Sequence, residues 1–169
     1  MPDTHPPPPG YRRRPARLDD AAAIAALLTA VDAAEGLDEV LGPEGVLREL
    51  SSLGFDLERD TLVAVDSEGV IQAFAFLWLH PTGRPTRAIC RIEVHPGHLQ
   101  LEAFLMGWAE ARAGQGLEQA PPGSRRLRQH IEENRARRRR AVEEAGYRHV
   151  RTSVEMWRSL AEDLPAEPS

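Results

Sequence analysis

The chain has 169 residues, 41% of them apolar, and a formal net charge of −5. That is long enough for one domain with its own core and too apolar for a chain that is disordered throughout. No apolar run approaches the roughly 18 residues needed to cross a bilayer, the lone cysteine, Cys90, rules out an internal disulfide, and no Cys/His cluster suggests zinc.

In chain order, residues 1–10 (MPDTHPPPPG) read as a disordered polyproline II tail, without the basic and apolar regions of a signal peptide. A reducing cytoplasm is the expected setting. YRRRPAR (11–17) reads as a short first strand, and Pro15, which has no N–H to donate, suits an edge. LDDAAAIAALLTAVDAAEG follows as a helix. Asp19 or Asp20 caps it, Ile24, Leu27, Leu28 and Val31 fall at helical spacing, and Gly36 ends it. GPEGVLRELSSLG gives a second helix with Pro43 in its first turn and Gly54 at its end.

The period then changes to two. DTLVAVD (60–66) is a strand, SEG (67–69) a hairpin turn, and VIQAFAFLWLH (70–80) a nearly continuous apolar strand, which implies cover on both faces. After a loop, PTGRPT, the stretch RAICRIEVH (87–95) alternates. Ala88, Cys90, Ile92 and Val94 share one face; Arg87, Ile89, Arg91, Glu93 and His95 share the other. A helix is expected from about His98 to Ala113, with Leu101, Phe104, Leu105, Trp108 and Ala109 as its buried stripe. RRLRQHI reads as a strand, EENRARRRRAVEEAG as a helix stopped by Gly146, YRHVRTSVEMWRSL as a last strand, and 161–169 as a tail. Residues 11–160 therefore form a single domain. Consecutive mid-chain strands suit antiparallel pairing and the later strand–helix–strand units suit parallel pairing. The fold class is α/β: a mixed, mainly antiparallel sheet with helices on both faces.

Every basic residue but the histidines is arginine, and residues 125–151 hold ten arginines against four acids. A solvated helix face accounts for such a run. The other readings are contact with a phosphate or with nucleic acid through the backbone charge alone. Nucleic acid is disfavoured, because stacking aromatics are scarce nearby.

The order and text of these segments resemble the GNAT superfamily of acyl-CoA-dependent N-acyltransferases. The resemblance is carried by RPARLDDAAAIAALLTAVDAAEG, by the hairpin DTLVAVDSEGVIQAFAFLWLHP, by IEVHPGH, which is similar to the family's V-x-P strand end, and by EENRARRRRAVEEAGYRHV. It is nearest in flavour to one domain of actinobacterial tandem-GNAT, mycothiol synthase-like proteins, whose inter-domain linker SLAEDLPAEP resembles. The resemblance implies transfer of an acyl group, acetyl in the first instance, from acetyl-CoA to an amine. It implies a wedge where the fourth and fifth strands splay, main-chain contacts to pantetheine at Val94, and a following turn of the form R/Q-x-x-G-x-G/A that offers amides to the pyrophosphate. A second copy of the chain, or another GNAT chain, is a candidate partner to cover an exposed sheet edge.

The turn is where this sequence departs from the pattern. After His98 stands LQLEAF, two residues shorter and without glycine, so only Gln100 echoes the R/Q position. A Cβ at such a place obstructs close approach of a phosphate to the backbone. Glu102 adds a like charge, which at about 5 Å and an effective dielectric near 20 costs about 3 kcal/mol. Asn134, twelve residues before Gly146, matches the family's pantetheine-contacting asparagine within one residue, and Ala141 stands where a proton-donating tyrosine is common. The candidate site residues are thus Glu93 and His95 for catalysis, and Val94, His98, Gln100 and Asn134 for acyl-CoA. Glu93 is either a general base or the structural partner of Arg91; His95 is either a base or structural. Two further readings stay open: a non-catalytic GNAT domain that binds a partner or small ligand, and a polyanion binder acting through its arginine-rich helix.

Overall fold

The computed structural model describes residues 6–37, 41–52, 56–79 and 87–153. Contacts divide the chain after Arg135 into two units. The first holds a five-stranded sheet in the order β1 (Arg12–Arg14), β2 (Thr61–Val65), β3 (Ile71–Leu79), β4 (Arg87–Val94) and β5 (Arg126–Gln129). All neighbours are antiparallel except β4 and β5. This is the mixed, mainly antiparallel sheet expected.

Period-two alternation, interrupted by a register shift between Ala64 and Val65 that brings Ile71 to the face of Phe74, assigns the two faces. Val63, Val65, Ile71 and Phe74 pack with Ile24, Leu27, Leu28 and Val31 of α1 (Ala21–Glu35) and with Val46 and Leu50 of α2 (Pro43–Leu50). On the opposite face Ala73, Ala75, Leu77, Ala88 and Cys90 are buried, as are Leu101 just before α4 (Glu102–Gly116) and Leu105 and Ala109 along it; α4 packs on β3 and β4. Trp108 is only half-buried. Small side chains on the sheet let α4 lie close. A Cβ at Gly116 would come within 2.5 Å of Leu79 Cδ1. One buried ion pair closes this layer: Arg112 of α4 donates Nε to Asp60 at 2.9 Å and to the Arg59 carbonyl at 3.0 Å.

Several boundaries differ from those read in the sequence. Asp20 stands at the N-cap of α1 but its carboxylate caps nothing there; it accepts from both Arg14 terminal nitrogens, at 2.6 and 2.8 Å, and from the Arg17 amide. Gly36 ends α1 as expected, at φ +70°. A one-turn helix, α3 (Leu57–Asp60), capped by the Asp56 side chain, takes Asp60 from the strand assigned to it. The helix expected from His98 begins at Glu102 instead, behind a 3-10 segment, Pro96–Leu101. Pro96 fixes φ in that segment's first turn, and non-helical His98 (φ −131°) kinks it.

The second unit begins at Ala136. Its described part holds α5 (Ala136–Glu144), later in starting than the sequence suggested, with Arg140 paired to Glu144 at 2.9 Å on its exposed side. Gly146, at φ +89°, closes the helix. Residues 147–153 are not a strand, contrary to the sequence reading, and the rest of that expected strand lies outside the described residues.

Candidate active site

β4 outlasts β5. The last paired residues are Cys90 and Gln129, so residues 91–94 have no β5 residue opposite. The His95 amide donates to the Gln72 carbonyl at 2.9 Å. Bonded pairs alternate along an antiparallel ladder, so His95, Glu93 and Arg91 direct their main-chain groups to β3. Ile92 and Val94 therefore direct N–H and C=O to the side that β5 has left. The β4–β5 ladder ends there, and Ile92 and Val94, 4% and 3% exposed, stand beyond it.

The side chains of Arg91 and Glu93 project to the α1 and α2 face. Glu93 is 6% exposed. One of its oxygens accepts from Arg91 Nε at 2.8 Å and the other from Arg135 Nη1 at 3.0 Å. Arg135, in the segment after β5, also donates to Asp32 of α1 at 2.6 Å, pairs with Glu132 at 2.6 Å and lies 3.9 Å from Glu35. Asp32, Glu35, Glu93 and Arg135 each expose less than a tenth of their side chains. Burial pulls the Arg135 guanidinium down in pKa, but Glu93, Glu132 and Asp32 together hold it above its ordinary value. Burial pushes the Asp32 carboxyl up, and Arg135 offsets this only in part.

On the same face, a cavity of about 320 Å³ is walled by Leu50 and Glu49 of α2, Phe74, Phe76 and Trp78 of β3, and Ile89 of β4. Register explains the aromatic row. Phe74 stands opposite Glu93, Phe76 opposite Arg91 and Trp78 opposite Ile89. Glu49 approaches Arg91 at 3.7 Å, too far for a hydrogen bond.

The turn after β4 is held by side chains. His95 Nδ1 accepts from the Gly97 amide at 3.2 Å, and the His98 amide donates to the His95 carbonyl at 2.8 Å. The Tyr11 hydroxyl lies 2.6 Å from His98 Nδ1 and accepts from Gln100 Nε2 at 2.7 Å. The His95 and His98 rings meet edge to face at 5.3 Å. At the start of α4 the Glu102 amide donates to the Leu99 carbonyl.

The mostly antiparallel sheet with a parallel fifth strand is similar to that of solved structures. A GCN5-related N-acetyltransferase from Sphaerobacter thermophilus superposes with a TM-score of 0.75 at 26% identity, over 83% of this chain and 44% of its own. The fold is the GNAT fold. An N-acetyltransferase from Staphylococcus aureus matches at TM-score 0.57 and 13% identity, over 82% of this chain and 84% of that one. A candidate acetyltransferase from Salmonella typhimurium, solved with its cofactor acetyl-CoA, matches at 0.50 and 20%, over 81% and 79%. This chain thus spans less than half the length of the Sphaerobacter protein. No protein-family model and no curated relative matches it.

Within the GNAT fold the sequence-derived candidates fall into two groups. Glu93 and Val94 lie at the end of β4 that β5 does not reach, and His95, His98 and Gln100 in the turn beyond it. Asn134 stands apart: it is exposed, in a turn before α5, and no hydrogen bond of its side chain is found among the described residues. Three participants escaped sequence reading. Arg135 was legible only as part of an arginine run, though an aspartate buried beside the apolar face of α1 calls for a cation. Tyr11 read as strand, and the aromatic row of β3 as core.

Proposed function

We propose that this chain is an N-acyltransferase-type GNAT domain that uses acyl-CoA, acetyl-CoA in the first instance, to acylate an amine. The observation that supports it is the open end of β4. Ile92 and Val94 offer main-chain donors and acceptors of the kind a pantetheine amide chain pairs with, on a strand that leads to the buried carboxylate cluster. Bound acyl-CoA supplies an activated thioester. The chain's own part is to hold the amine on the Glu93 face, exclude water with the aromatic row, and accept a proton. Both Glu93 oxygens are taken by arginines, so Glu93 positions Arg91 and Arg135 and does not abstract. His95 Nδ1 is taken by the Gly97 amide, which leaves Nε2, or a water beside it, as the proton acceptor. Nitrogen bonds to the acyl carbon, the C–S bond breaks, and of the two protons an ammonium loses, one ends on sulfur and one in solvent.

The turn 96–101 does not fit a pyrophosphate in the pose the resemblance implies. A 3-10 segment bonds its own amides at i→i+3 spacing, Leu99 is bulky and exposed, and Glu102 opens α4 with a negative charge. The diphosphate therefore lies elsewhere or contributes little. That same closure favours the second reading, a GNAT domain that binds without catalysis. Titration calorimetry with acetyl-CoA and free CoA decides between them. Dissociation constants of roughly 10–500 μM, about 5–7 kcal/mol, are expected for an arm held without its diphosphate. No heat at millimolar CoA overturns acyl transfer and leaves the second reading.

A further inference from the structure

We infer that the cavity beside β3 binds a small aromatic amine as its ammonium ion; this identifies the acyl acceptor and in that respect rests on the acyl-transfer reading. Size, shape and charge carry the inference. At about 320 Å³ the cavity is at the small end of ligand pockets, which suits one ring with a short chain and excludes a nucleotide or a folded peptide. Its floor is three aromatic side chains at alternate positions of one strand, with the Phe74 and Phe76 rings 5.9 Å apart and tilted by 46°. Such a floor suits a flat apolar ring.

Among the described residues Glu49, on the cavity wall, stands 3.7 Å from Arg91, and Arg91 and Arg135 are shared with Glu93, Asp32 and Glu132. Those two guanidiniums are engaged by Glu93, Asp32 and Glu132. Glu49 is the carboxylate on the cavity wall, and no hydrogen bond reaches it among the described residues. Ser52 lies beside it and donates its hydroxyl to the Arg48 carbonyl, so its oxygen can accept from a ligand N–H. A cation is attracted at this wall and a carboxylate is repelled. The polar end of the ligand then lies toward Glu49, on the face that carries Glu93.

The test is calorimetry with 2-phenylethylamine, 2-phenylethanol, phenylacetate and ethylamine. 2-Phenylethylamine is expected to bind at least about fivefold tighter than 2-phenylethanol, the gain of one half-exposed ion pair. Phenylacetate and ethylamine are expected to give no heat at equal concentration. Glu49→Gln, a surface change that does not threaten folding, should abolish the amine's advantage and leave the alcohol's affinity unchanged. Phe76→Leu should weaken both. Equal binding of amine and phenylacetate, no amine binding at millimolar concentration, or an unaltered Glu49→Gln variant overturns the inference. Amine binding without acetyl-CoA binding refutes acyl transfer and leaves the cavity's ligand standing; acetyl-CoA binding without amine binding does the reverse.

Discussion

Replacing Arg135 by methionine keeps the length and apolar stem of the side chain and deletes its charge. The loss leaves Asp32, its side chain 9% exposed, without this guanidinium and takes from Glu93, 7% exposed, one of its two arginines, Arg91 remaining. Breaking a buried ion pair by removing one partner costs about 3–5 kcal/mol, because the remaining charge stays buried. Several carboxylates share this cation, and protonation caps the penalty, so the upper half of that range is expected at pH 7.5. A domain of this size holds about 5–15 kcal/mol in total, and each kcal/mol moves Tm by roughly 2–4 °C. The variant should therefore melt about 8–20 °C below the parent. Urea denaturation followed by far-ultraviolet circular dichroism checks it, since an unchanged m-value confirms that the native state is the same. The loss should shrink at pH 5, where the stranded carboxylates can take up protons. Arg140→Met, which breaks an exposed, solvent-screened pair, is the control and should leave stability essentially unchanged. A drop of only 2 °C for Arg135→Met, or a deficit that does not change with pH, would refute the view that this guanidinium neutralises the cluster.

Asp32 titrates above the ordinary carboxylate range, so its folded form binds a proton that the unfolded chain releases. Its contribution is fully present below the unfolded value near 3.9 and is lost as pH rises through the folded value; Asp32→Asn should thus gain on the parent as pH is raised from 4 to 7 in denaturant titrations. Asp20 has the opposite sign. Burial pushes it up, but the Arg14 bonds and the Arg17 amide carry it below its ordinary value, so the stability that Asp20→Asn removes should be present at neutral pH and vanish as pH falls below about 4. Gly36→Ala forces a left-handed residue at φ +70° and should cost about 1–2 kcal/mol in the same assay. Glu102→Gln should tighten CoA about ten- to hundredfold if a phosphate comes within about 5 Å of α4, and should leave the calorimetric constant unchanged if the diphosphate lies elsewhere.

The sheet was readable because alternation and turn chemistry agree with its register. In the hairpin, Asp66 accepts from the Glu68 and Val70 amides and Gly69 takes φ +89°, as the short turn SEG requires. The alternation of 87–95 gave the two faces directly. What the sequence hid is non-local. Helical spacing over 98–113 does not distinguish a 3-10 turn from an α-helix, and it is Pro96, the His95 side chain and Tyr11 from the far end of the chain that hold the segment tight. The Arg91–Glu93 pair could be foreseen from their shared face; the third partner, 42 residues on, could not. An exposed-looking arginine run gave no sign that its first member is buried.

Tyr11 also gives the N-terminus a mechanical role. Its hydroxyl fastens the residues that follow the proline stretch to the turn beyond β4, so that turn is tethered at two places far apart in sequence. Proline-rich chain transmits tension because it cannot shorten into a coil as other sequences do. A protein gripping residues 6–9 would therefore pull on His98 and Gln100. An affinity tag placed ahead of them loads the same linkage, which makes tag position a variable to control in every binding measurement on this domain.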